Sequence, residues 1–217
     1  QIARNYGIPF HSDGVQTLGK IPVNVKDTGV DMMSFSAHKF YGPKGVGALF
    51  IKGNTSIKSL IIGGGQERNL RAGTENVSGI AGMGKASELA NSELKKTQDH
   101  LIKLEHIFVS DLRQNIKNIK FNSTSNGLPG VVSVSIPSMD SGKLLIGLNR
   151  RGMAVSSGSA CSSGTVKPSP VLKALGLSNA LNLKTLRISF GKGNSEEDTR
   201  ELVKAIIKIV SANSTYG

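Results

Sequence analysis

The stretch Asp31-Met-Met-Ser-Phe-Ser-Ala-His-Lys-Phe-Tyr-Gly-Pro-Lys-Gly45 decides how this chain is read. A short apolar strand runs into Ser36, His38 and Lys39, and a Gly-Pro-Lys-Gly turn closes the segment. A lysine held between a strand end and a glycine turn suits an amine that carries a cofactor, and the hydroxyl and imidazole beside it suit a phosphate. Taken alone, the same residues also read as a plain surface lysine before a turn, with His38 a hydrogen-bonded imidazole.

Working outward, residues 1–52 alternate helix and strand. A helix is expected over Gln1–Gly7, with strands at Ile8–His11, Met32–Phe35 and Val46–Ile51, and glycines punctuate the runs. This pattern predicts α/β architecture around a largely parallel sheet. The loop from Ile61 to Thr74 is rich in glycine and arginine. From Val77 to Ile116, Leu89, Leu94, Leu101, Leu104, Phe108 and Leu112 recur at helical spacing, which predicts one long helix connecting two units. The second unit reads as strands at Val131–Ile136, Met153–Ser156 and Leu186–Phe190, with helices near Gly142–Arg151, within Ser157–Leu175 and over Ser195–Ala212. Ser195-Glu-Glu-Asp198 is a helix start, a serine cap followed by acidic residues.

The 217 residues include 27 Lys and Arg against 15 Asp and Glu, a net charge of +12. Trp is absent and the basic residues are scattered, so the aromatic–basic interleaving that stacks bases is missing and no nucleic-acid partner is expected. An acidic protein partner and a merely basic surface both fit the charge. No apolar run reaches the ~18 residues of a membrane span, and no secretory signal is visible. One cysteine excludes an internal disulfide and two-cysteine metal motifs. A cytoplasmic, reducing setting is expected. The chain opens on Gln1 inside an uncapped helix, which reads as a chain whose front has been removed.

Several residues could carry chemistry. Asp13, in His11-Ser-Asp-Gly-Val-Gln16, follows a strand at the carboxyl end where ligands of parallel sheets gather. It either caps a turn or pairs with a heteroaromatic nitrogen and keeps it protonated. Lys39 as an imine to an aldehyde becomes an anchor and, once released, a base. Gly63–Thr74 offers backbone amides, Arg68, Arg71 and a threonine hydroxyl to an anion. Cys161 stands in the small-residue stretch Ser156-Ser-Gly-Ser-Ala-Cys-Ser-Ser-Gly164, unlike a core thiol's setting. Only its thiolate is nucleophilic, so a nearby cation or helix start is required. Arg187 interrupts the apolar strand Thr185–Gly191, where it needs either a structural salt bridge or a substrate carboxylate.

Together these segments resemble the cysteine desulfurases of iron–sulfur cluster assembly, the NifS/IscS type within the class-V aminotransferases. The matching stretches are His11–Lys20, Ser34–Gly45, Gly63–Thr74 and Ser156–Cys161, with Arg187 following. The resemblance implies a pyridoxal-phosphate-dependent transferase of fold type I. Residues 1–95 would be the back part of its large, mostly parallel domain, and 96–217 a small α+β domain with the catalytic cysteine loop. It further implies that Asp13 pairs with the pyridine nitrogen, Gln16 with the phenolic oxygen, and Ser36 and His38 with the phosphate. Lys39 would form the imine, and Thr74 would reach the phosphate of a second subunit in a homodimer. Arg187 would bind the carboxylate of L-cysteine. Cys161 would accept its sulfur as a persulfide, leaving L-alanine, for delivery to an acceptor or iron–sulfur scaffold protein.

Such enzymes are about twice this length. The front half, with a ring-stacking histidine and another phosphate-binding threonine, has no counterpart here, so this chain resembles a C-terminal half that needs an N-terminal partner. Selenocysteine lyase or a related lyase of the same fold, and a non-catalytic interaction module, are the alternatives.

Overall fold

A computed structural model describes residues 1–124, 126–157 and 168–214. The chain forms two compact units, Gln1–Thr97 and Gln98–Gly217.

The first unit begins with a single helical turn, α1 (Ile2–Asn5), and a three-stranded sheet in the order β1-β2-β3. β1 (His11–Asp13) runs parallel to β2 (Met32–Ser36), with Asp13 opposite Ser34. β3 (Gly47–Ile51) is antiparallel to β2, with Gly47 opposite Ser36. The described sheet is therefore mixed, where the sequence suggested mostly parallel pairing. β1 also starts later than its apolar run. Pro9 has no N–H to give, and the Phe10 N–H goes to the Asp31 carboxylate at 2.9 Å instead of a ladder. Between β1 and β2 lies α2 (Val25–Thr28), capped by Asn24.

A 3-10 turn, Ala37–Phe40, follows β2 directly. Residues three apart eclipse one another in such a turn. Ala37 (0% exposed) and Phe40 (3%) face a small core with Ala86 and Ala90, whereas His38 and Lys39 are exposed. Ala86 and Ala90 belong to α4 (Val77–Ser92), capped by Asn76. Close approach explains two glycines here. A Cβ on Gly42 would stand 2.9 Å from that of Ala37, and one on Gly47 would stand 2.6 Å from the Phe35 carbonyl oxygen.

The single turn α3 (Gln66–Asn69) lies in the glycine-rich loop, where Glu67, Arg68 and Asn69 all have left-handed φ of 46°, 57° and 64°. The expected long helix is two helices. α4 ends at Ser92, Glu93 stands between, and α5 covers Leu94–Asn115.

The second unit holds an antiparallel sheet in the order β4-β5-β6: Lys120–Phe121, Val131–Ser135 and Thr185–Ser189. α6 (Ser141–Asn149), α7 (Pro170–Ala174), α8 (Asn179–Asn182) and α9 (Glu196–Ser214) complete it. The core takes Leu101, Leu104, Phe108 and Leu112 from α5, alternate residues of β5 and β6, Leu144 and Leu148 from α6, and Ile206 from α9. Phe108 meets Phe190 edge to face at 5.7 Å, and truncating a buried ring of this kind costs about 3–5 kcal/mol. Ser195 and Asp198 cap α9 reciprocally: Asp198 N donates to the Ser195 hydroxyl at 3.0 Å, and Ser195 N to the Asp198 carboxylate at 2.8 Å. The expected strand at Met153–Ser156 is reduced to a single bridge between Ser156 and Arg187. Among the described residues no helix is long and apolar enough to cross a membrane.

Candidate functional site

In the first unit the sheet delivers the candidate residues at its strand ends. Asp13 is the last residue of β1 and exposed, and its Oδ1 accepts from Val15 N at 2.8 Å. The carboxylate therefore caps the turn that leads to Gln16, while remaining open to a ligand. His11 Nε2 and Ser34 Oγ are 2.7 Å apart across the parallel pair. Ser36 ends β2, and its Oγ lies 2.9 Å from His38 Nδ1. Hydroxyl and imidazole thus form one polar pair beside Lys39. Lys39 is exposed, makes no ion pair among the described residues, and is held in place by its buried neighbours Ala37 and Phe40.

Tyr41, with φ 68°, ends the turn, and Gly42 N closes back on Ala37 O at 2.9 Å. A non-glycine residue in this left-handed region costs of order 1–3 kcal/mol and persists only where surroundings enforce it. The backbone after Lys39 is fixed by tight packing. Thr74 is exposed in the segment between α3 and α4. Gln66 Oε1 accepts from Gly73 N at 3.1 Å, which ties the two ends of the loop together.

These residues fit an aldehyde cofactor bearing a phosphate. An uncommitted amine, a serine–histidine pair next to it and an open carboxylate at a strand end are the donor set such a group needs.

The sequence by itself assigns no role to Lys20. It is half-buried, and burial, together with the Lys39 ammonium, holds its pKa below the ordinary value. The two lysines are distant in sequence, and no local pattern announces that the charge of one acts on the other.

In the second unit Arg187 stands in the middle of β6, opposite Ser133. The sequence left open whether a structural salt bridge satisfies it. No carboxylate among the described residues does. Arg187 instead lines a cavity of ≈ 310 Å³ with Asn122, Ser133, Thr185, Leu172 and Leu175. The lining is mostly apolar, and its polar residues Asn122 and Thr185 are linked through Ser135 behind it. Asn122 Nδ2 donates to Ser135 Oγ at 2.9 Å, Ser135 Oγ lies 2.7 Å from Thr185 Oγ1, and the Thr185 hydroxyl donates to Leu181 O at 2.8 Å. A guanidinium at such a wall is available to an anion. Cys161 lies outside the described residues.

Residues 1–202 match the family described as aminotransferase class-V. The cysteine desulfurase IscS of Dictyoglomus turgidum is 45% identical over 220 residues, covering 100% of this chain and 56% of that protein. Among solved structures, a NifS-like protein from Rickettsia africae is 34% identical with a TM-score of 0.87, over 97% of this chain and 56% of that one. SspA, solved in complex with cysteine, is also 34% identical, with a TM-score of 0.69 over 88% of this chain and 52% of that one. The chain spans about half the length of the curated relatives it matches. Its fold is that of the type I pyridoxal-phosphate enzymes. An exposed lysine locked onto a 3-10 turn at a strand end and a match over most of the sequence lead to one conclusion: the chain belongs to the class-V aminotransferase family of pyridoxal-phosphate enzymes.

Proposed function

We propose that this chain supplies the cofactor lysine, the substrate arginine and the sulfur-accepting cysteine of a cysteine desulfurase. The observation that carries the reading is Lys39, exposed and without an ion pair among the described residues, beside the Ser36–His38 pair on a turn whose opposite side is buried. The relatives' names support it, as does the guanidinium of Arg187, which meets no carboxylate among the described residues and lines a cavity.

Pyridoxal phosphate, when bound, supplies the electron sink that makes the α-proton of an amino acid removable. Lys39 would anchor it, and as a free amine Nζ would take a proton. Ser36 and His38 would bind the phosphate, and Asp13 would hold a proton at the ring nitrogen, with Gln16 at the phenolic oxygen. Arg187 orients L-cysteine by its carboxylate. The Cys161 thiolate bonds to the substrate sulfur as the C–S bond breaks. The electron pair stays on the carbon skeleton, which takes up protons to become L-alanine, and Cys161 is left as a persulfide. Thr74 reaches a phosphate in a second subunit, so the working form is a homodimer completed by the remaining length of a full desulfurase. The persulfide passes to an acceptor or iron–sulfur scaffold protein in a reducing, cytoplasmic setting.

The test is a visible absorption spectrum of the chain with added pyridoxal phosphate, repeated for Lys39→Ala. The expected result is a band present in the first and absent in the second, with L-cysteine then adding the mass of one sulfur to Cys161. A band that survives Lys39→Ala excludes Lys39 as the anchor. No band in either shows that this chain does not hold the cofactor without the remaining length of a full desulfurase, and removes the claim that the chain alone is an enzyme.

A further inference from the structure

The cavity beside Arg187 has two unlike walls. Residues of β5 and β6 alternate between the faces of their sheet. Val132, Val134, Leu186 and Ile188 are buried in the core, so Ser133 and Arg187, which oppose each other across the pair, belong to the other face, where both line the cavity. Ser133 Oγ accepts from Asn122 Nδ2 at 3.2 Å, and its own O–H goes to no acceptor among the described residues. A hydroxyl that accepts one bond can still donate another. No acidic side chain lines the cavity, and residues 158–167 include no Asp or Glu.

The facing wall is aliphatic, made of Val171, Leu172 and Leu175. Its position is set in advance. Ser169, which caps α7, is buried and tied to the buried Asn182 in both directions: Ser169 N donates to Asn182 Oδ1 and Asn182 Nδ2 to Ser169 O, each at 2.9 Å. Leu172 is buried, while Val171 and Leu175 are 64% and 62% exposed and form the rim. A wall already in place costs little to order when a ligand arrives. The volume of ≈ 310 Å³ stands at the lower end of the range for ligand cavities and suits a compact molecule.

We propose that this cavity binds a small aliphatic carboxylate, its charged end on Arg187 and Ser133 and its tail against Val171, Leu172 and Leu175. A guanidinium and a hydroxyl are donors that a carboxylate takes, and the tail gains by leaving water. The ligand carries no α-ammonium, because no acidic side chain lines the cavity to receive one. It therefore differs in class from an amino-acid substrate. Its effect on turnover rests on Arg187 being the substrate arginine: an occupant of that guanidinium competes with L-cysteine, which makes the cavity a site of inhibition.

The test is an NMR titration of this chain, without cofactor, using 4-methylpentanoate, acetate and L-leucine. 4-Methylpentanoate is expected to bind about tenfold or more tightly than acetate, since each buried methylene is worth about fourfold. It is also expected to bind more tightly than L-leucine. Arg187→Gln is expected to weaken it about tenfold. Leu175→Asn, at an exposed position, is expected to bring it close to acetate while leaving acetate unchanged. Binding no tighter than that of acetate or of L-leucine overturns the proposal, and so does an unchanged affinity in either variant. Should Arg187→Gln not fold, the ligand comparison and Leu175→Asn decide. In the complete enzyme, 4-methylpentanoate is expected to raise KM for L-cysteine without lowering kcat, and Leu175→Asn to relieve that inhibition. A lowered kcat at saturating L-cysteine overturns the competition. The titration involves neither cofactor nor Lys39, so its failure leaves the desulfurase reading standing, while a missing absorption band with normal binding removes only the claim that this chain holds the cofactor alone.

Discussion

Ser156 and Arg187 hold each other by both backbone groups: Arg187 N donates to Ser156 O at 2.7 Å, and Ser156 N donates to Arg187 O at 3.2 Å. Ser156 is thus tied to the strand that carries the candidate substrate arginine. Arg187 also has Ser133 on its other side, so its backbone is fixed from two directions. In the complete enzyme, Arg187→Lys is expected to raise KM for L-cysteine about tenfold, and Arg187→Ala more, because a bidentate clamp becomes a point charge and then nothing. Steady-state kinetics at saturating cofactor measure this. An unchanged KM would remove Arg187 from substrate binding.

The Ser36–His38 pair should matter for the phosphate and little for the fold, since His38 is exposed and Ser36 is only half-buried. Ser36→Ala and His38→Ala are each expected to weaken pyridoxal phosphate binding about tenfold, worth ~1.4 kcal/mol, while leaving the affinity for unphosphorylated pyridoxal nearly unchanged. Titration of the absorption band with both aldehydes gives the comparison. Equal losses for the two aldehydes would place the pair away from the phosphate.

Gly47 faces Ser36 across the β2–β3 pair, immediately before the turn that carries Lys39. A methyl group there would stand 2.6 Å from a backbone oxygen, which cannot swing aside as a side chain could. Gly47→Ala is expected to destabilise the first unit by about 1–3 kcal/mol, in the range of other overpacked sites. Urea denaturation followed by circular dichroism reads the change.

The charge of Lys20 should be a burden on the fold. Its pKa lies lower in the folded chain than its ordinary value of 10.5, so the unfolded chain binds that proton more tightly. The penalty is complete below the folded pKa and fades as pH climbs through that value towards 10.5. Lys20→Met is accordingly expected to melt at a higher temperature than the parent chain at neutral pH, with the gap closing in alkaline buffer. A Met variant that melts lower at neutral pH would show that the lysine stem packs better than a thioether.

Much of this was legible in the sequence where local chemistry decides the outcome. Met32–Ser36, Gly47–Ile51 and Thr185–Ser189 are short apolar runs bounded by small or turn-forming residues, and they fold as strands. Ser195 and Asp198 cap a helix because cap and acid lie three residues apart. What stayed hidden depends on neighbours in space. Glu67 and Arg68 have no intrinsic preference for left-handed backbone, unlike Asn69, so nothing local foretells their turn. Ile8 and Phe10 read as strand by apolar character, but Pro9 and the Asp31 carboxylate take them out of the ladder. Leu89 keeps the helical rhythm and is nonetheless 44% exposed. Of the site, the open carboxylate, the serine–histidine pair and the exposed lysine stand where the strand ends predicted, whereas the burial of Lys20 required the folded chain.

The three-residue repeat of the Ala37–Phe40 turn has a consequence for how this segment can vary. Side chains there are sorted by count: two positions inward, two outward, then Tyr41 and Gly42 to reverse the chain. A one-residue insertion or deletion between Ser36 and Gly42 would send an ammonium towards Ala86 and Ala90 and a phenyl ring into water. Substitution on the outer face is cheap, and a change of length is not. The segment therefore behaves like a fixed-length cassette, whose spacing is under tighter constraint than the identity of any single exposed residue except the lysine itself.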